Sequence, residues 1–125
     1  MSLQIISLIM ISVLLSAGSQ IVLKKAMIAD SVQKSIASGD VIAISTTLIT
    51  SPMILAGLFS FGLSAVFWLF VLSKVPLSSA YPFVALGIGI TVIAGVTIFG
   101  ETVSPVGAIG VGLIVLGILC VGSQA

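Results

Sequence analysis

The sequence predicts an all-α integral membrane protein with four transmembrane helices. Three observations carry this. Of the 125 residues, 59% are hydrophobic and 6% charged, with a mean hydropathy of +1.45. A chain this short cannot hide so much apolar surface inside itself, so lipid must be the solvent for most of it. The apolar residues fall into four charge-free stretches, about 3–23, 53–72, 77–99 and 103–121, each close to the roughly 20 residues that cross a hydrocarbon core. Between them stand lysines, prolines and Glu101, which punctuate spans.

The first stretch, Leu3 to Leu23, carries no charge. A cleaved signal peptide would open on a basic residue, so the stretch reads as a retained helix, with Ser16-Ala17-Gly18 a weak cleavage site at most. Ser12, Ser16, Ser19 and Gln20 follow i, i+4, i+7, i+8 spacing and share one face. Gln20 has two donors and an acceptor, costly to leave unpaired in lipid. This face serves either hydrogen bonding between helices or the lining of a path for a polar headgroup, and the two roles are compatible.

Lys24 to Ser51 is the one polar connection, with Lys24, Lys25, Asp30, Lys34 and Asp40. Val41, Ile44 and Leu48 recur at i, i+3, i+7, which predicts a short interfacial helix over about 40–50 with Asp40 as its N-cap. Ser51-Pro52 opens the second span. That span holds Phe59, Phe61, Phe67, Trp68 and Phe70. Trp68 lies near Lys74, as an interfacial anchor would. The aromatics read as lipid-facing or packing groups, with a cation cage as the alternative. The short turn Ser73 to Pro76 makes a tight antiparallel pair with the third helix.

The third span lies between Lys74 and Glu101, which enclose 26 uncharged residues. It contains Ser78, Ser79, Tyr81, Pro82, Gly87, Gly89, Thr91, Gly95 and Thr97, more than an inert anchor needs. Pro82 removes a backbone donor and loosens a turn. The glycines let a neighbouring helix or a lipid approach the backbone. A helix lining a site is expected here, a packed inert span being the alternative. Glu101, the single glutamate, suits the positive end of the fourth helix dipole, a structural role; contact with substrate is the other reading. In the fourth span Ala108 and Gly112 form a small-xxx-small pair, and Gly110 and Gly117 share a face. These four are the expected dimer interface, a generic glycine-rich helix being the alternative. Residues 1–125 form one domain.

The order Pro76-Leu77-Ser78-Ser79-Ala80-Tyr81-Pro82, glycine-rich helix, Phe99-Gly100-Glu101, Val103-Ser104-Pro105, glycine-rich helix resembles the drug/metabolite transporter superfamily. Among its four-helix members it is most similar to the aminoarabinose-phosphoundecaprenol flippase subunits. The run Ser16-Ala17-Gly18-Ser19-Gln20, with Leu23-Lys24-Lys25-Ala26 after it, resembles the start of those subunits. More distantly the chain is similar to the small multidrug resistance exporters, and 110–117 to their dimer-forming helix. Those exporters carry a glutamate eight residues before the lysine that ends helix 1; here that position is Ser16. Proton-driven export of cations would lack its coupling carboxylate.

Composition excludes several functions. Four lysines, no arginine and a net charge of +1 leave no nucleic-acid patch. No histidine is present, and Cys120 is single and sits in an apolar segment as a small hydrophobe. No nucleophile–base pair, metal cluster or cofactor motif is available, so no enzyme and no cofactor are expected. Four thin helices cannot enclose a path for a large polar headgroup, but eight can. A dimer with itself or a similar small subunit is therefore expected of a transporter. The resemblance implies a subunit flipping a polyprenyl-phosphate-linked sugar across a bacterial-type inner membrane. Ser12, Ser16, Gln20, Ser78, Ser79 and Tyr81 would meet the sugar. Lys24, Lys25 and Lys74 either meet the phosphate or are ordinary snorkelling end groups. The alternatives are a small exporter of cations or metabolites and a non-transporting membrane scaffold. The three lysines in the loops after helices 1 and 3, against Lys74 opposite, favour cytoplasmic placement of those loops.

Overall fold

Ser2 starts the first helix by accepting a hydrogen bond from the Ile5 N–H, and α1 runs Leu3–Met27. The structure, a computed structural model, describes residues 2–123. After α1 come α2 (Asp30–Ser38), α3 (Val41–Thr50), α4 (Pro52–Lys74), α5 (Leu77–Ala80), a 3-10 turn (Tyr81–Phe83), α6 (Val84–Thr97) and α7 (Pro105–Gly122). No strand occurs among the described residues. Three helical runs, Leu3–Met27, Pro52–Lys74 and Leu77–Thr97, are long and apolar enough to cross a membrane, while α3 and α7 are apolar but shorter. This is the build of a multi-pass membrane protein.

Side chains set the helix starts. Asp40 Oδ1 accepts from the Ile42 N–H at 3.0 Å, Ser51 Oγ from Ile54 at 3.4 Å, and Ser104 Oγ from Gly107 at 3.0 Å. Pro52 and Pro105 each occupy the first turn, where a missing N–H costs nothing.

α1 and α4 are antiparallel and form the central pair. Ile9 and Val71, both fully buried, meet near one end; Leu23 covers Gly57 near the other. Midway, the buried Ser12 hydroxyl donates to the Ser64 carbonyl at 2.8 Å. Lipid tails are as apolar as these side chains, so the pair is held by close fit and by this bond rather than by exclusion of water. α6 lies alongside α1 in the same direction, with Gly87 opposite Val13. α7 returns antiparallel along α6 and the 3-10 turn, and none of its described residues is buried.

The connection after α1 is more ordered than the sequence suggested. α1 continues to Met27 and a further helix, α2, precedes α3. Val32 on α2 is buried against Ala26 and Ile54, the Gln33 side chain donates to Met27 O at 2.7 Å, and Gly39 ends α2 at φ +70°. The third span is also not one helix over 77–99. It breaks into α5, the 3-10 turn and α6, because Pro82 has no N–H to continue the ladder. It stops at Thr97, where Gly100, at φ +65°, turns the chain and the Glu101 N–H bonds back to Gly95 O at 3.0 Å.

Candidate functional site: a polar-lined cleft between three helices

Ser12, Ser16 and Gln20 stand one turn apart on α1 and form a polar line along its middle. They line a cleft of about 590 Å³ together with Val13 and Ala17. α4 contributes Phe61, Ser64, Ala65 and Trp68; the 3-10 turn gives Tyr81; α6 gives Val84, Gly87, Ile88 and Thr91. The volume falls in the usual range for a small-molecule site, roughly 300–1,000 Å³. Trp68 and Tyr81 meet edge to face, with ring centroids 6.2 Å apart and planes at 71°. They close the end of the cleft nearest Lys74.

The hydroxyls divide into two sets. Ser64 Oγ donates to Phe61 O at 2.6 Å and Thr91 Oγ1 to Ile88 O at 2.9 Å, while Ser12 is committed to α4. Their protons are used, but oxygen lone pairs remain. The Ser16 hydroxyl, the Gln20 amide and the Tyr81 hydroxyl make no hydrogen bond to any described residue, and Gln20 and Tyr81 are exposed. Ser19 turns away from the cleft, buried and bonded to Ser16 O at 2.7 Å.

The remaining sequence candidates sit elsewhere. Ser78 and Ser79 lie on α5 outside the lining. Lys24 and Lys25 are on the last turn of α1, and Lys74 is on the last turn of the antiparallel α4, at the other end of the bundle. The three lysines therefore do not converge. Lys24 Nζ lies 3.5 Å from Glu101 Oε1, with both side chains about half exposed at 50% and 49%. Glu101 reaches it across Gly95, where a Cβ would stand 2.6 Å from Glu101 Oε2. Lys24 is one turn beyond Gln20 on α1, and Gly95 one turn beyond Thr91 on α6, so the ion pair spans the end of the cleft opposite Tyr81. An exposed pair of this kind contributes at most about 1 kcal/mol. Glu101 thus holds α1 to the α6–α7 turn, a contact that its place beside the start of α7 did not foretell.

Ser64 is not singled out by the sequence, and Phe61 and Trp68 read there as lipid-facing or packing aromatics with a cation cage as the alternative; Thr91 is named on a helix expected to line a site. A signal existed: 61, 64, 65, 68 and 84, 87, 88, 91 each repeat at helical spacing and place one small hydroxyl in an apolar stripe. On α7, Ala108 is exposed, and a Cβ added at Gly110, Gly112 or Gly117 would meet nothing within 4 Å. Within one chain no neighbour requires glycine at those three positions.

The fold and cleft define a multi-pass membrane protein with a neutral polar groove between its helices. Comparison with known proteins narrows this. The chain is similar to the probable 4-amino-4-deoxy-L-arabinose-phosphoundecaprenol flippase subunit ArnE of Aeromonas hydrophila, 31% identical over 72 residues, which are 58% of this chain and 63% of that protein. It is 42% identical to the protein of the same name from Escherichia coli K12 over 62 residues, 50% of this chain and 56% of that one. The chain thus spans less than two thirds of the length of the curated relatives it matches. Their name is that of transport subunits, not enzymes. No family model matches the chain, and no solved structure matches it.

Proposed function

We propose that this chain is a subunit of a flippase that carries a polyprenyl-phosphate-linked sugar across a bacterial-type inner membrane. The unengaged Ser16 hydroxyl and Gln20 amide in a cleft between apolar helices carry the reading. In lipid such groups need a partner, and a headgroup with hydroxyls supplies one. The lipid tail stays in the bilayer, so only sugar and phosphate need a protein path. Phe61, Ala65 and Gln20 are exposed at the cleft's edge, so the site opens sideways, where a lipid can enter. The names of the similar proteins support the same substrate class.

In this reading α7, at 18 residues, makes the fourth crossing. Its length of roughly 27 Å is slightly under a hydrocarbon core of about 30 Å. Lys24, Lys25 and Lys34 then share one face, which the positive-inside rule places in the cytoplasm. The proposed assembly is an eight-helix dimer of identical or similar small subunits.

The test is lipid retention. Protein extracted in mild detergent should hold undecaprenyl phosphate–sugar in native mass spectrometry after phosphatidylglycerol and bare undecaprenyl phosphate have dissociated. Equal loss of all three would overturn the proposal. The association surface is tested separately. Gly110→Ile with Gly117→Ile should abolish dimer mass and crosslinking while leaving helix content unchanged, because a Cβ added at either position meets nothing within 4 Å in the chain. An undiminished dimer would exclude the α7 face.

A further inference from the structure

Resting on the flippase reading, we infer that Lys24 binds the phosphate of the lipid, and that Glu101 is the stand-in which the phosphate displaces. The Ser16 hydroxyl, the Gln20 amide and the Lys24 ammonium follow one another along α1 at i, i+4 and i+8. Each step rises about 6 Å along the helix axis. Ser16 and Gln20 line the cleft, and Lys24 stands one turn beyond it, on the last turn of α1. A sugar held against Ser16 and Gln20 therefore has its phosphate within reach of Lys24, at the end of a span, where the charged part of the lipid belongs. The phosphate is common to every lipid of this class, whichever sugar it carries.

Before the lipid arrives, that ammonium faces a carboxylate. Lys24 Nζ and Glu101 Oε1 are 3.5 Å apart, and both side chains are half exposed. The separation exceeds the roughly 2.7–2.9 Å of a strong charge-assisted hydrogen bond, so the contact is one that a better-placed anion can replace. Glu101 reaches Lys24 over the bare backbone of Gly95, where a Cβ would stand 2.6 Å from Oε2. The turn that carries Glu101 is held separately, by its N–H to Gly95 O at 3.0 Å and by Gly100 at φ +65°. The carboxylate can therefore swing into water without unmaking the turn. One anion leaves the ammonium as another arrives, and no charge is stranded in an apolar place. The tie between α1 and the α6–α7 turn goes with the carboxylate, so phosphate binding also releases that end of the cleft. Both groups belong to this chain, and the exchange takes place whatever a second subunit adds to the path.

The experiment measures retention of undecaprenyl phosphate carrying 4-amino-4-deoxy-L-arabinose on the full chain in mild detergent by native mass spectrometry, with phosphatidylglycerol as the second probe. Glu101→Gln removes the charge of the stand-in. Gly95→Ala keeps every charge and pushes the carboxylate off Lys24, at little cost to the helix because the atom in the way ends a flexible side chain. Each should raise retention of the sugar lipid about twofold to fivefold, as much as an exposed pair worth at most about 1 kcal/mol can withhold. In a Lys24→Gln background neither substitution should change it, because no ammonium remains to be freed. Unchanged or weaker retention in the two single variants, with the wild type holding the sugar lipid, would overturn the inference and leave the flippase reading standing. So would a gain that survives Lys24→Gln, which would come from a loosened cleft. An equal gain for phosphatidylglycerol would give Lys24 to bulk anionic lipid and overturn it too. Failure of the wild type to hold the sugar lipid beyond bare undecaprenyl phosphate would overturn the inference together with the flippase reading.

Discussion

Gly57→Ile is expected to part α1 from α4 and to destabilise the chain more than any other single glycine substitution in the spans. Gly57 is buried, and a Cβ there would stand 2.7 Å from both Cγ and Cδ2 of Leu23 and 3.5 Å from the Leu23 backbone nitrogen. Moving the tip of Leu23 does not relieve the clash, because the branch carbon is as close as the methyl. The helices must separate, and Ile adds three more carbons to the strain. Overpacking of this kind costs about 1–3 kcal/mol. In water an opened seam would also expose apolar surface. In a bilayer the tails fill it without that penalty, so nothing but lost fit opposes the separation. Gly62→Ile is the control, since a Cβ there meets nothing within 4 Å. Detergent-titrated unfolding should show Gly57→Ala mildly and Gly57→Ile strongly destabilised, with Gly62→Ile near wild type. Equal stability of the two isoleucine variants would show that α1 and α4 do not close at Leu23.

Gln20→Leu is expected to cost the largest share of lipid affinity available from one side chain. The amide makes no bond to other described residues, so its removal breaks nothing in the fold, and leucine is at home in a lipid-facing position. Against a sugar the loss is two hydrogen bonds left unmade in a dry site, about 1–3 kcal/mol, or roughly fivefold to 150-fold in retention. Thermal stability should stay within about 0.5 kcal/mol of wild type, the usual range for a surface change. Ser12→Ala should differ in losing stability, because it removes the bond to Ser64. Wild-type retention by Gln20→Leu would reduce the polar line on α1 to a device for joining helices.

The spans were legible because charge and proline are rare here and fall at helix ends. Lys24, Pro52, Lys74 and Pro105 each lie in the first or last turn of a helix. Asp40 is legible as a cap because a short acid before an apolar run has one low-energy local use. The three-dimensional pairings were not legible. Apart from its one polar line, α1 is almost evenly apolar, and that line does not say which side faces α4 and which faces α6. Ser12 and Gln20 look alike in the sequence, yet the Ser12 hydroxyl donates to Ser64 O while the Gln20 amide makes no bond to a described residue. Lys24 and Glu101 are 77 positions apart and join only because α6 runs parallel to α1. α2 escaped notice because its nine residues show a single buried position, Val32, that needs Ala26 and Ile54 to explain it.

The neutrality of the cleft has an electrical consequence. Every Lys, Asp and Glu lies in the last turn of α1 or α4 or in the segments 28–51 and 98–104 that connect the spans, and none lies between Leu3 and Leu23, Met53 and Ser73, or Val75 and Gly100. A charge moved fully through the membrane potential gains or loses about 2.3 kcal/mol per 100 mV. Rocking of these helices moves no such charge through the core, so the chain itself has little gating charge. If the proposed flippase reading holds, this chain adds little of its own to any voltage dependence of transport, whose sign would then follow the charge on the cargo.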